Sequence, residues 1–213
     1  FSVPDYQRDY EWTNKENSTL ADDVFNLIAD PSSSSHFTGA IVTTPYNRVD
    51  GIKSSIKIED YQISEQNVKH LLDGQQRLTS LMVFISVLKK TISEDTSIVE
   101  ARKNVFVRQL EGLLFGNDWN SCQQAPKLIL NSDTGYYFNQ EILGLVPDEQ
   151  ANGRLKGPRR LKTAIKTYKE AIADAKKDLI EDMHYCKDED EFYARTVDVI
   201  RNKMIFVEIA CDK

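Results

Sequence analysis

The chain has 213 residues, of which 40% are apolar and 28% charged, and its 27 basic and 33 acidic side chains give a net charge of −6. This length and composition allow one large domain or two small ones with a substantial core, and they exclude wholesale disorder. The apolar runs are too short to span a bilayer, so we expect no membrane partner. The acidic balance argues against non-specific adhesion to nucleic acid by the whole surface but permits a local basic patch.

The cysteines and the chain ends suggest the setting of the protein. Cys122, Cys186 and Cys211 are odd in number and lie far apart, without the spacing of metal ligands. A disulfide framework or a zinc site is therefore not expected, and a reduced cytoplasmic compartment fits best. The chain begins at Phe1 rather than Met and stops at Lys213 just after an apolar stretch. We therefore expect it to be a fragment of a longer protein.

Residues 1–92 alternate between helical and extended patterns. In chain order, the sequence predicts a helix capped by Asn17 or Ser18 and running to Ile28, a strand over 37–44, a hairpin turn at Asp50-Gly51, a strand over 68–72, and a helix from about Gln75 to Lys90. The last helix is apolar on almost every side, which is typical of a helix buried at the centre of a domain. The strand-to-helix junction before this helix is the best candidate position for a functional site.

Residues 93–213 are mostly helical in pattern. The sequence predicts helices over 98–114, from Ser132 or Asp133 toward Leu143, over 159–186 and over 189–202, with strands returning near 127–130 and 204–209. The expected fold class is α+β, with a domain over 1–92 and a mainly helical subdomain over 93–213.

The run Asp73-Gly74-Gln75-Gln76-Arg77, here called the box, lies at the strand-to-helix junction. A glycine at such a turn leaves the N–H groups of the first helical turn free to attract anions. The two glutamines add amide donors, and an arginine can clamp a phosphate or carboxylate through two N–H groups. The same residues also suit a structural turn in which Asp73 caps the helix and Arg77 lies on the surface.

A second group of residues, 6–12, interleaves aromatic side chains with polar and charged ones. The run reads Tyr6-Gln7-Arg8-Asp9-Tyr10-Glu11-Trp12. Aromatic faces and an arginine suit a nucleobase or ribose beside a phosphate. On the residues alone, an edge segment whose aromatics fill the core and whose charges pair at the surface explains the pattern better.

The box, the 6–12 segment and the run Phe37-Thr-Gly-Ala-Ile-Val42 between them resemble one family closely. They are similar to the N-terminal domain of GmrSD-type modification-dependent (type IV) restriction enzymes and of related phage-defence proteins, most strongly over residues 1–88. The resemblance implies a small mixed sheet with a central buried helix, similar to the ParB/sulfiredoxin group. The stretch 45–66 is long for the family's hairpin and suggests an insertion.

The resemblance also implies a nucleoside triphosphate hydrolase (NTPase) domain that regulates a nuclease. GTP or another triphosphate would be the substrate and Mg²⁺ the cofactor. Gly74, Gln75 and Gln76 would bind phosphate through backbone and side chain, with Gln76 also in the catalytic set. Arg77 would neutralise the transferring phosphoryl group. Asp73 would position Mg²⁺ or the attacking water.

The 6–12 segment would complete this nucleotide site. Gln7 and Arg8 would approach the phosphates, and Tyr6, Tyr10 or Trp12 would shape the pocket. Complete members of the family commonly work with an HNH-type nuclease domain further along the chain or on a partner, and with DNA. The chain's histidines lie too far apart in sequence for the paired pattern of an HNH metal site, so we expect no nuclease activity from these residues alone.

A basic run between residues 154 and 169 offers a different function. Its members are Arg154, Lys156, Arg159, Arg160, Lys162, Lys166 and Lys169. Such a run could follow a phosphate backbone, although a solvated helix whose charges pair along its face explains it slightly better. The alternative function is therefore a ParB-like module that binds DNA or a partner and hydrolyses nothing.

Overall fold

The computed structural model describes residues 1–30, 34–46, 68–117, 124–145 and 156–211. The predicted turn at Asp50-Gly51, most of the suspected insertion, Arg154 and Cys122 lie outside these ranges. The helices are α1 (Asn14–Ala29), α2 (Gln75–Glu94), α3 (Glu100–Leu114), α4 (Ser132–Tyr137), α5 (Lys156–Lys177) and α6 (Glu189–Asp198). The strands are β1 (His36–Pro45), β2 (Lys69–Asp73), β3 (Phe115–Asn117), β4 (Gln124–Pro126) and β5 (Met204–Ala210). The predicted α+β class is confirmed.

The main sheet is small and mixed, with strand order β2-β1-β5. β1 pairs antiparallel with β2 and parallel with β5. The predicted closing strand near 204–209 is therefore confirmed, and it supplies the third strand of a sheet begun by residues 36–73. The two predicted halves of the chain thus share one sheet.

The predicted strand near 127–130 is wrong in its extent. Ile129 forms only an isolated bridge, to Ser2, which also bridges His70 at the end of β2 away from the box. The first residues of the chain thus run between β2 and Ile129, with hydrogen bonds from Ser2 N to Lys69 O and from Val3 N to Ile129 O, each 2.9 Å long. The short β3–β4 hairpin just before Ile129 was not predicted.

Helix α2 is buried along most of its length, as its apolar pattern predicts. Phe84 and Leu88 of α2 join Leu110 of α3, Tyr168 of α5 and Leu71 of β2 in one hydrophobic cluster. Burial of this much apolar surface is the main source of stability. Because the cluster includes residues from both predicted halves, the box lies at the edge of a core to which both halves contribute.

The N-cap of helix α1 lies four residues before Asn17, the earlier of the two predicted caps. Thr13 is the N-cap, and a reciprocal pair of bonds with Glu16 completes a capping box, with Thr13 N 2.8 Å from Glu16 Oε2. Asn17 is instead buried, and its Oδ1 accepts hydrogen bonds from the hydroxyls of Tyr10 and Tyr168, both 2.8 Å away. A polar residue read as a cap in the sequence therefore ties the 6–12 segment to α5.

Asp95, just after α2, links three helices. Its carboxylate accepts hydrogen bonds from Lys176 Nζ of α5 at 3.0 Å, from Tyr193 Oη of α6 at 2.8 Å, and from Ser97. The Asp95 side chain is only 11% exposed. Burial acts to raise the pKa of Asp95, but these hydrogen bonds outweigh burial and hold the pKa well below its usual range.

Several helices end differently from the predictions. The chain continues from α4, α5 and α6 into π-helical turns over Phe138–Ile142, Asp178–Asp182 and Val199–Lys203. The predicted helix over 159–186 thus starts at Lys156 and is helical to Asp182. Within the described ranges, each helix is too short or too polar to serve as a membrane span.

Candidate functional site

The box turns the chain from β2 into α2 at Gly74. Gly74 has φ +88°, and no side chain caps the helix. The alternative interpretation of the box as a purely structural turn requires Asp73 to be that cap, and Asp73 is not. A Cβ at position 74 would lie 2.7 Å from Ile41 Cγ2 and 2.9 Å from the carbonyl oxygen of Ala40. Both the left-handed backbone and this close approach favour glycine. The N-terminus of α2, with its first N–H groups, therefore lies directly beside β1.

Arg77 folds onto the same stretch of β1. Its Nη2 donates a 2.7 Å hydrogen bond to the carbonyl oxygen of Ala40. A Cβ at Gly39 would lie 2.7 Å from Arg77 Nε, so the guanidinium lies directly on the glycine. The Nε atom is buried and has no hydrogen-bond partner among the described residues. Gly74 and Arg77 thus both approach Ala40, which brings the guanidinium to the N-terminus of its own helix.

Gln75 and Gln76 instead face the 6–12 segment. Gln76 Oε1 accepts from the N–H of Glu11 at 2.9 Å, and its Nε2 donates to the carbonyl of Asp9 at 3.0 Å. Gln75 Nε2 donates to the carbonyl of Arg8. The two amide side chains that the sequence assigned to phosphate are therefore engaged with backbone groups of the protein itself.

Further contacts fix the start of the segment. Gln7 Nε2 donates to the carbonyl of Leu72 at 2.8 Å, directly before the box. Asn131 Nδ2 donates to the carbonyl of Pro4 at 3.0 Å, and Thr134 Oγ1 lies 3.1 Å from Asp9 Oδ1. Residues near position 130 thus hold the N-terminal segment against the box.

The space between the 6–12 segment and the box is filled. The cavity bounded by Arg8, Tyr10, Gln75 and Gln76 has a volume of only about 10 Å³. A single water molecule needs about that much. A phosphate therefore does not fit on this side of the box, and open space adjoins the box on the side of Arg77.

The aromatic residues of the segment have separate surroundings. Tyr10 is 3% exposed and its hydroxyl lies 2.6 Å from Ser80 Oγ, so it belongs to the core rather than to a ligand pocket. Burial raises the pKa of Tyr10 to about 12. Tyr6 is 62% exposed and the Arg8 side chain 82% exposed. Of the predicted ligand-binding residues in this segment, Tyr6 and Arg8 are thus the ones open to solvent.

Asp73 is exposed at the end of β2, where it pairs with Val42 of β1. Within the described ranges, no three His, Cys, Asp or Glu side chains cluster closely enough to form a metal site. Mg²⁺ is usually held by one or two carboxylates together with substrate phosphates. A single accessible carboxylate fits that mode of binding and does not fit a site made by the protein alone.

The described part of the basic run forms the N-terminal half of α5. Arg159, Lys162, Lys166 and Lys169 are exposed. Lys166 lies 3.7 Å from Glu170, and Lys156 pairs with Glu11 of the N-terminal segment. Hydrogen bonding and the charge of Lys156 lower the pKa of Glu11. The charge of the basic run is therefore partly neutralised at Lys156, at the start of α5, and the cations later in the helix are exposed to solvent.

The residues that sequence reasoning missed are Gly39 and Ala40. Gly39 has φ +135° within β1, and the sheet register shifts there. A glycine inside a strand pattern is a known sign of close backbone approach, so Gly39 could have been identified as a contact point. Which side chain would approach it could not be inferred, because Arg77 is distant in sequence.

Comparison with known proteins agrees with the resemblance seen in the sequence. The model of the N-terminal domain of GmrSD restriction endonucleases matches residues 1–213, the whole chain. No curated protein matches the chain. The chain belongs to the family of GmrSD restriction endonuclease N-terminal domains and serves in a restriction or defence protein.

Proposed function

We propose that this domain binds and hydrolyses a nucleoside triphosphate and thereby regulates a nuclease that acts on modified or foreign DNA. The nuclease would be an HNH-type domain further along the chain or on a partner. The observation that carries the proposal is the convergence of Gly74 and Arg77 on the carbonyl of Ala40. It brings a guanidinium and an uncapped helix N-terminus to one place. Both features attract phosphate oxygens.

The phosphates bind on the β1 side of the box. The N–H groups of Gln75, Gln76 and Arg77 have no acceptor within the helix, as at any helix start. The hydrogen bond to Ala40 uses one of the five N–H donors of Arg77. The glutamine side chains act indirectly, since they hold the 6–12 segment against the start of α2.

In the hydrolysis step, a water oxygen bonds to the γ-phosphorus and loses a proton to solvent, while the bond from that phosphorus to the bridging oxygen breaks and its electron pair stays on the diphosphate. The products are the nucleoside diphosphate and inorganic phosphate. Asp73 would orient the water or hold Mg²⁺, which when bound would neutralise charge on the phosphates. Arg77 stabilises the charge that develops on the transferring group.

The proposal is tested by titrating the purified protein with ATP, GTP, CTP and UTP in the presence of Mg²⁺, with calorimetry for binding and phosphate release for turnover. Arg77→Ala is expected to weaken binding about 10- to 100-fold, since a hydrogen bond to a charged group contributes about 1.5–3 kcal/mol. Arg77→Lys should retain part of it, because it keeps the charge but loses the planar fork.

Arg108→Ala, which removes an exposed arginine from α3, is the matched control and should behave as wild type. Absence of binding and turnover for every nucleotide would contradict the proposal. So would an Arg77→Ala variant that binds as tightly as wild type.

A second function, DNA or partner binding without hydrolysis, is favoured by the exposed cations of α5. Arg159→Glu with Arg160→Glu is expected to weaken DNA binding. It should also reduce the slope of log affinity against log salt by about one for each phosphate that the variant no longer neutralises. Lys177→Glu, at the other end of the same helix, is the control. Absence of DNA binding by the wild-type protein at low salt would eliminate this function.

A further inference from the structure

A cavity of about 230 Å³ lies between α1, the start of β1 and the first turn of α2. Trp12, Asp23, His36, Thr38 and Arg77 are among its lining residues. Arg77 belongs to the box, so one residue that lines the cavity is also the residue that the proposed function assigns to phosphate. The cavity is thus next to the proposed phosphate site.

The size of the cavity limits what it can hold. Pockets for drug-sized ligands usually have volumes of about 300–1,000 Å³. A cavity of about 230 Å³ is too small for a whole nucleotide and large enough for one bicyclic ring system. It therefore fits one end of a ligand whose remainder lies outside, on the other side of Arg77.

The lining residues suit a flat heterocycle with N–H donors. Trp12 is partly buried against the core and offers an aromatic face. Glu16 also lines the cavity, but its carboxylate already accepts from Thr13. Asp23 is the carboxylate left to accept from a ligand, with one oxygen 3.4 Å from His36 Nε2. The buried hydroxyl of Thr38 has no hydrogen-bond partner among the described residues.

Other cavities fit a nucleotide less well. The 420 Å³ groove between α1 and α5 is lined by Asp22, Glu170, Asp174 and Asp178, whose charges repel phosphate. A 280 Å³ cavity near Tyr137 is lined by lysines but does not include a box residue. The cavity beside Arg77 combines an aromatic face, a carboxylate and contact with the box.

We propose that the cavity beside Arg77 receives the nucleobase, that Trp12 stacks on it, and that Asp23 selects guanine through the adjacent N1–H and N2–H groups. This proposal rests on the proposed function, because it assumes that the phosphates bind at the box. Guanine is favoured because it presents two neighbouring donors to one carboxylate, whereas adenine presents an acceptor beside its amino group. A good two-bond base contact is worth about 1–3 kcal/mol of discrimination, or roughly 5- to 150-fold in affinity.

The test compares the affinities of GTP, ITP, ATP and XTP for the wild-type protein and for Asp23→Asn. ITP lacks the 2-amino group, and XTP carries an oxygen in its place. Wild type is expected to bind GTP at least about fivefold more tightly than ITP or ATP. Asp23→Asn should lose this preference and gain affinity for XTP, because an amide can donate to the new oxygen. A gain for one ligand cannot result from misfolding.

Asp22→Asn is the matched control, since Asp22 is the neighbouring residue and faces the other groove. Trp12→Ala should weaken all four nucleotides and Trp12→Phe should restore binding. Equal affinity of wild type for the four nucleotides, or an unchanged GTP-to-XTP ratio in Asp23→Asn, would overturn the base pocket. If binding still depends on Arg77, the proposed function survives that result. Failure of all four purine nucleotides to bind would remove the base pocket, and the proposed function falls with it only if CTP and UTP also fail to bind.

Discussion

Asp95→Ala is expected to lower the free energy of unfolding at pH 7 by about 3 kcal/mol. The substitution removes the acceptor of Lys176 and Tyr193 and leaves their donors partly buried without a partner. Because these donors belong to α5 and α6, the loss affects the packing of both helices against α2. Urea unfolding followed by circular dichroism measures the change.

The contribution of Asp95 should also depend on pH in a definite direction. The pKa of Asp95 is lower in the folded protein than in the unfolded chain. The carboxylate therefore stabilises the fold fully above its unfolded pKa of about 3.9, and this stabilisation is lost as pH falls toward the folded pKa. The difference between wild type and Asp95→Ala should shrink below pH 4. Asp174→Ala, at an exposed site on α5, serves as the control, and a difference that stays constant down to pH 2 would refute this explanation.

Gly39→Ala is expected to cost about 1–3 kcal/mol of stability from backbone strain at φ +135°, plus a smaller steric term because the new Cβ displaces the Arg77 side chain. The new Cβ would lie 2.7 Å from Arg77 Nε and 3.1 Å from Arg77 Cζ. The guanidinium must therefore move away from β1, so nucleotide affinity should fall along with stability. Chemical unfolding and nucleotide titration measure the two effects.

A double-mutant cycle separates the two terms of this cost. In an Arg77→Ala background the steric conflict is absent, so Gly39→Ala should cost only the backbone term. Gly112→Ala is the control, because no atom lies within 4 Å of a Cβ built there and the site is helical. It should leave stability unchanged or raise it slightly. Equal costs of Gly39→Ala in both backgrounds would show that Arg77 does not lie on Gly39.

Local patterns predicted much of the fold. Helix α2 was recognised because it is apolar on nearly all sides, and β1, β2 and β5 because they are short runs of β-branched and apolar residues. The start of α1 was misplaced because Thr13 and Asn17 are both good cap residues. Only the tertiary partners Tyr10 and Tyr168 show that Asn17 lies in the core.

The sequence identifies the box as a candidate site, but it does not show which box residues contact the 6–12 segment and which contact β1. Successive residues of a helix point about 100° apart, so Gln75 and Arg77 had to face different directions. The sequence does not say which direction meets the 6–12 segment and which meets β1. The glutamine side chains donate hydrogen bonds to the backbone carbonyls of Arg8 and Asp9. Nothing in the sequence distinguishes these carbonyls from any other.

The most direct test is a crystal structure of the protein with Mg²⁺ and a non-hydrolysable nucleoside triphosphate. The phosphates should contact the backbone N–H groups of Gln75–Arg77 and the Arg77 guanidinium beside Ala40, while Gln75 and Gln76 keep their bonds to the 6–12 segment. A triphosphate bound away from Arg77, with the Gly74 turn unchanged, would contradict the account.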